Sequence, residues 1–119
     1  MTLTKTLGSR LADLAAAYNR GAVITLSTYF NSAGKIIPSG TKGAVYAGRH
    51  AIQAYWKSLL ASGLKHLVAT IDSATITGDG NAYATGSIAH SAGGGNIVVV
   101  VSRPSPSAPF KIDVLAITA

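Results

Sequence analysis

Proton transfer at neutral pH draws on carboxylates and imidazoles, and this 119-residue chain holds few of either: four aspartates, no glutamate and three histidines. Asp72 and Asp113 are the candidate acids, and His66 and His90 the candidate proton carriers, because imidazole titrates near physiological pH. His66 opens a strand-like segment and His90 precedes a glycine-rich turn, positions that also suit a rim or a surface. His50 in a first helical turn and Asp13 on the polar side of another helix read as solvated. Tyr18, Tyr29, Tyr55, Trp56 and Tyr83 can offer hydroxyl or indole donors to a bound molecule, or can simply fill the core. The absence of cysteine excludes a thiol nucleophile, a thiolate metal site and a disulfide framework. Three scattered histidines without glutamate or cysteine make no metal site. No G-x-S-x-G elbow or G-x-x-x-x-G-K-[ST] phosphate loop occurs, and no cofactor is expected.

The elements that must position these residues follow from periodicity. Gly48 to Leu60 is the best amphipathic stretch, with Ile52, Tyr55, Trp56, Leu59 and Leu60 at spacings of three, four and seven. Gly48 reverses the chain before it, and Gly63 ends it. Leu7, Leu11, Leu14, Ala15 and Tyr18 predict a first helix from about Lys5 to Asn19. Ala22 to Phe30 predicts a short second helix, weakened by branched side chains. Asn31 to Ala47 reads mostly as loop, with Lys35–Ile37 and Ala44–Tyr46 as short strands. Beyond Gly63, alternating β-branched segments predict strands over Lys65–Thr77, Ala82–His90, Ile97–Ser102 and Phe110–Thr118. Turns fall at Gly78 to Asn81, Ser91 to Asn96 and Pro104 to Pro109. Such short connections require antiparallel pairing. The whole is one α+β domain over residues 1–119, with about three N-terminal helices packed on a strongly curved, mainly antiparallel sheet.

Bulk properties limit the partners. The formal charge of +6 reflects scarce acids more than abundant cations, and the ten Lys and Arg are scattered without a run. A nucleic-acid interface concentrates its cations, so none is expected. No apolar run is long enough for a membrane span; a soluble, cytoplasmic protein without a targeting segment is expected. With 48% apolar residues and a mean hydropathy of +0.35, the chain carries more apolar surface than a small monomer hides. A homodimer is the expected remedy.

Ordered landmarks along nearly the whole chain resemble the nuclear-transport-factor-2-like superfamily, in particular its SnoaL-like branch. They are Ala17-Tyr18-Asn19-Arg20-Gly21, Tyr29-Phe30, Gly48-Arg49-His50-Ala51-Ile52 with Tyr55-Trp56, and Gly78-Asp79 followed by Ala82-Tyr83. Phe110-Lys111-Ile112 stands where many relatives have Trp-Lys-Ile. The resemblance implies a cone in which a curved sheet wraps a long helix around an apolar pocket, frequently as a dimer. It implies activities that range from isomerases, dehydratases and polyketide cyclases to non-catalytic binders and association domains.

The polar roles that the resemblance implies are apolar here. A base Asp before the loop proline corresponds to Ile37 beside Pro38, an oxyanion tyrosine to Leu14, a neutral pocket acid to Val98, and a last-strand Asp to Leu115. Asp113 lies two residues before Leu115, on the same face of a regular strand; it either points into the pocket or sits at the surface opposite Lys111. Asp72 shares a strand face with Val68 and Thr70. The leading expectation is a SnoaL-like protein that binds a small hydrophobic or aromatic molecule through Tyr18, Tyr29, Tyr55, Trp56 and Tyr83. One alternative is an acid–base enzyme using Asp113 or Asp72. The other is an association module with a filled cavity.

Overall fold

The computed structural model describes residues 2–38 and 44–118. Helix α1 spans Leu3–Asn19 and starts where the Thr2 hydroxyl accepts the Lys5 backbone N–H at 3.2 Å. Its stripe of Leu7, Leu11, Leu14, Ala15 and Tyr18 is buried. Gly21, at φ 71°, turns the chain into α2, Val23–Thr28. This helix is shorter than its apolar run suggested: Tyr29 is its C-cap and Phe30 already belongs to a strand. Gln53 Nε2 donates to Ser27 Oγ at 3.2 Å, which ties α2 to the helix that carries Gln53.

Strand β1, Phe30–Ile37, includes Asn31 to Gly34, which the sequence presented as loop, and its register with β6 shifts between Phe30 and Lys35. Gly34 explains the discrepancy. A Cβ there would lie 2.8 Å from the Ile112 carbonyl and 2.9 Å from that of Asn31, so the glycine marks a close backbone approach rather than a break. The two-residue β2, Tyr46–Ala47, precedes α3, Arg49–Ala61, which begins after Gly48 at φ 86°. Four strands complete the chain: β3 Val68–Gly78, β4 Asn81–His90, β5 Gly93–Ser102 and β6 Lys111–Thr118. The expected turn over Ser91 to Asn96 shrinks to Ser91-Ala92, because the three glycines pair within β5. A side chain on Gly94 would collide with the Ile88 carbonyl oxygen.

The six strands form one curved sheet in the order β2-β1-β6-β5-β4-β3. The hairpin-linked pairs are antiparallel as expected, whereas β1 and β6 are parallel. That pairing escaped the reading of short connections because the two strands are joined through α3 and the whole meander. The three helices pack on one face, where Ile97, Val99, Val101 and Leu115 complete the core.

Among the register irregularities of the sheet, two β-bulges carry aspartates. Asp72 is the extra residue on β3, between the pairs Ile71–Gly86 and Ser73–Thr85. Asp113 is the extra residue on β6, between Val101–Ile112 and Val100–Val114. Each bulge switches which residues face inward: Ile112 before Asp113, but Leu115 after it, are buried. Asp113 therefore does not share the face of Leu115, contrary to the alternation of a regular strand.

Candidate functional site

A cavity of about 140 Å³ lies between α3 and the sheet. Helix α3 contributes Tyr55, Trp56 and Leu59, and the connection into β3 contributes Leu64 and Leu67. Ile88 and His90 come from β4, Ile117 from β6, and Pro38 follows β1. Its walls are thus largely aliphatic and aromatic. Pockets for drug-sized ligands start near about 300 Å³, while an apolar cavity of about 150 Å³ holds benzene. The volume suits one ring, not a fused polycycle. Wider depressions beside His66 and along α1 and β3 are more open surface grooves.

The end of α1 holds one wall in place. The Tyr18 hydroxyl donates to the Leu64 carbonyl at 2.8 Å. Asn19 takes both backbone groups of Leu67, donating from Nδ2 to its carbonyl and accepting its N–H at Oδ1, each at 2.9 Å. An asparagine amide reproduces the pairing a neighbouring strand would give, and it does so at a buried leucine that lines the cavity. The Tyr18-Asn19 landmark therefore has a mechanical role.

Tyr55 and Trp56, two rings of an aromatic chain, form part of the other wall. Tyr46 and Tyr55 have ring centroids 5.0 Å apart, Tyr55 and Trp56 5.3 Å, and Tyr18 and Trp56 5.7 Å, the last two edge to face. Burial pushes the Tyr18 phenol above its ordinary range. Burial, then the neighbouring Tyr46 and Tyr18, does the same for Tyr55. Trp56 Nε1 is buried without a hydrogen-bond partner among the described residues.

Of the five aromatic residues expected at the site, Tyr55 and Trp56 line the cavity. Tyr18 is core, fixed through its hydroxyl. Tyr29 lies elsewhere, with the Arg10 guanidinium 4.7 Å above its ring and only a void of about 10 Å³ beside it. Tyr83 is 42% exposed, on the face of the sheet away from the helices.

Of the four candidate proton carriers, only His90 lines this cavity. Its Nδ1 accepts the Ala92 backbone N–H at 3.2 Å. His66 is exposed, at φ 58°. Asp72 is exposed at its bulge. Asp113 is engaged away from the cavity: Asn31 Nδ2 donates to its Oδ1 at 2.7 Å and to Ser102 Oγ at 2.9 Å, clamping β1 to the β6 bulge. Val98, at the position implied for a pocket acid, faces outward, and Leu14 and Leu115 are core. Among the described residues, no group of three or more His, Cys, Asp or Glu could hold a metal ion, and no helix is long and apolar enough to cross a membrane.

No protein-family model and no curated protein matches the sequence. Solved structures do match in three dimensions. ActVI-ORFA from Streptomyces coelicolor superimposes with a TM-score of 0.79 at 12% identity, over 98% of this chain and 97% of that one. A ketosteroid isomerase-like protein from Erwinia carotovora atroseptica gives 0.75 at 10% identity, over 97% and 94%. An NTF2-like protein with a cystatin-like fold from Novosphingobium aromaticivorans gives 0.63 at 19% identity, over 96% and 79%. At such identities the likeness is one of fold, the cystatin-like fold that the Novosphingobium protein carries.

Proposed function

We propose that this protein binds a small apolar or aromatic molecule, of single-ring size, in the cavity beneath α3. The observation that carries the reading is the cavity itself: about 140 Å³ of space that the surrounding leucines, isoleucines and aromatic rings do not fill. Space of this kind forfeits dispersion contacts that a ligand restores. The fold neighbours include an isomerase-like protein, yet no carboxylate among the described residues lines this cavity, so the reading is binding rather than proton transfer by Asp72 or Asp113. Trp56 is the sole tryptophan and lines the cavity, which makes its emission a direct reporter. Titration with toluene should change Trp56 emission saturably and raise the melting temperature, because a ligand of the native state stabilises it. No saturable change with toluene or with acetophenone, each up to its solubility limit, would sink the reading.

We also propose that the outer face of the sheet pairs with a second copy of the chain. From Ile97 to Val101 strand β5 is apolar on both faces: Ile97, Val99 and Val101 point to the core, while Val98 and Val100 point outward between Asn96 and Ser102. An antiparallel strand with a solvated face ordinarily alternates polar residues there, so the outward valines support a covered face. Tyr83 pairs with Val100, Val100 with Val114, Val98 with Ala116 and Ala116 with Ile37, so these residues form one continuous apolar patch, bordered by Lys35 where it pairs with Val114. A molecule of charge +6 can meet its own copy across such a patch with little repulsion. Sedimentation velocity at micromolar concentration decides the point.

A further inference from the structure

Two polar side chains, Tyr55 and His90, interrupt the apolar wall of the cavity. The Tyr55 hydroxyl has no hydrogen-bond partner among the described residues, and it is not sealed in the core either, since Trp56 Nε1 is the one fully buried, unpaired side-chain polar atom there. It is accessible, on a ring only 8% exposed. His90 follows the same logic. Its Nδ1 accepts the Ala92 N–H, which in a neutral imidazole leaves the proton on Nε2. That nitrogen is also unpaired and accessible. Among the described residues that line the cavity, Tyr55 and His90 thus supply two accessible donors, and no side chain carries a carboxylate or amide oxygen.

A pure hydrocarbon would cover such donors without satisfying them, and a buried donor left unpaired costs more than a typical hydrogen bond gains. An ionised ligand fares no better, because among the described residues no lysine or arginine lines the cavity and a charge moved out of water without a partner is strongly disfavoured. We propose that the cavity selects a neutral single-ring molecule bearing one hydrogen-bond acceptor, an aryl ketone or ester for example, whose oxygen is held by Tyr55 O–H and His90 Nε2–H. This rests on the cavity being a binding site at all, so the probes are chosen to separate the two ideas.

Acetophenone and α-methylstyrene have the same shape and differ by an oxygen in place of a methylene. Dissociation constants for both, with benzoate as the charged counterpart, can be measured by NMR titration of the wild-type chain and of Tyr55→Phe and His90→Leu. One hydrogen bond is worth roughly 2- to 12-fold in affinity. Acetophenone should bind about tenfold more tightly than α-methylstyrene, and the ratio should fall severalfold in each variant. Equal affinities in the wild type, or a ratio unchanged in both variants, would overturn the proposal while leaving small-molecule binding intact. Benzoate binding more tightly than acetophenone would overturn the requirement for neutrality. If none of the three binds, the cavity reading fails and this one with it.

Discussion

Replacing Asn19 with alanine removes both hydrogen bonds that hold Leu67, each 2.9 Å long. Each bond contributes about 1 kcal/mol net, and the buried Leu67 N–H and carbonyl would lose their partners, adding about 1 kcal/mol. Alanine recovers about 0.5 kcal/mol in helix propensity at the end of α1, and water reaching the exposed helix terminus offsets some of the remainder. The expected net loss is about 2 kcal/mol. An unfolding entropy of about 2.1 cal/mol/K per residue over 119 residues turns this into a fall of about 8 °C in Tm. Calorimetry and urea titration read the loss globally, and hydrogen exchange at the Leu67 amide reads it locally. Because Leu67 lines the cavity, toluene affinity should fall in the same variant. A loss below about 0.5 kcal/mol, with Leu67 exchange unchanged, would mean that water replaces the amide freely and that Asn19 does not hold the wall.

Other consequences are equally direct. Gly86→Ala places a methyl against the Thr70 carbonyl at the β3 bulge, where backbone must move; about 2–3 kcal/mol should be lost in urea unfolding. Tyr18 and Tyr55 are held above their ordinary range of about 10, so the folded chain keeps protons that the unfolded chain releases. Their contribution is fully present below about pH 10 and declines as pH rises through the folded values. Thermal melts should therefore show stability falling above about pH 10, with part of that slope missing in Tyr55→Phe. Val98→Lys should convert a wild-type dimer to monomer in sedimentation velocity; a wild-type chain that is already monomeric at micromolar concentration would refute the assigned face.

Helix α3 was legible because its burial is strictly periodic and glycines at both ends take positive φ. The meander was legible because its strands alternate and their connections are short. What stayed hidden depended on residues distant in the chain. Asn31 to Gly34 looks like a turn until the backbone of Ile112 arrives beside it. Asp113 stays open between pocket and surface in the sequence, because regular parity puts it on the face of Leu115 and only the bulge at Asp113 breaks that parity. The cavity was half visible: Tyr55 and Trp56 stood out as aromatics on α3, while Leu64 and Leu67 are two leucines in a short connection with no local pattern. Their signal lay in Tyr18 and Asn19, at separations of 46 and 48 residues.

The parallel pairing of β1 with β6 also sets an order of assembly. The pairs from β3 to β6 join neighbours in sequence and can zip locally, whereas Asn31 and Asp113 meet across 82 residues. Closing that long loop carries an entropic cost that local hairpins do not, and contacts of this range slow folding. The meander should thus form before β1 docks. In stopped-flow refolding, Asn31→Ala should speed unfolding while leaving the folding rate nearly unchanged, as expected for a contact made after the transition state.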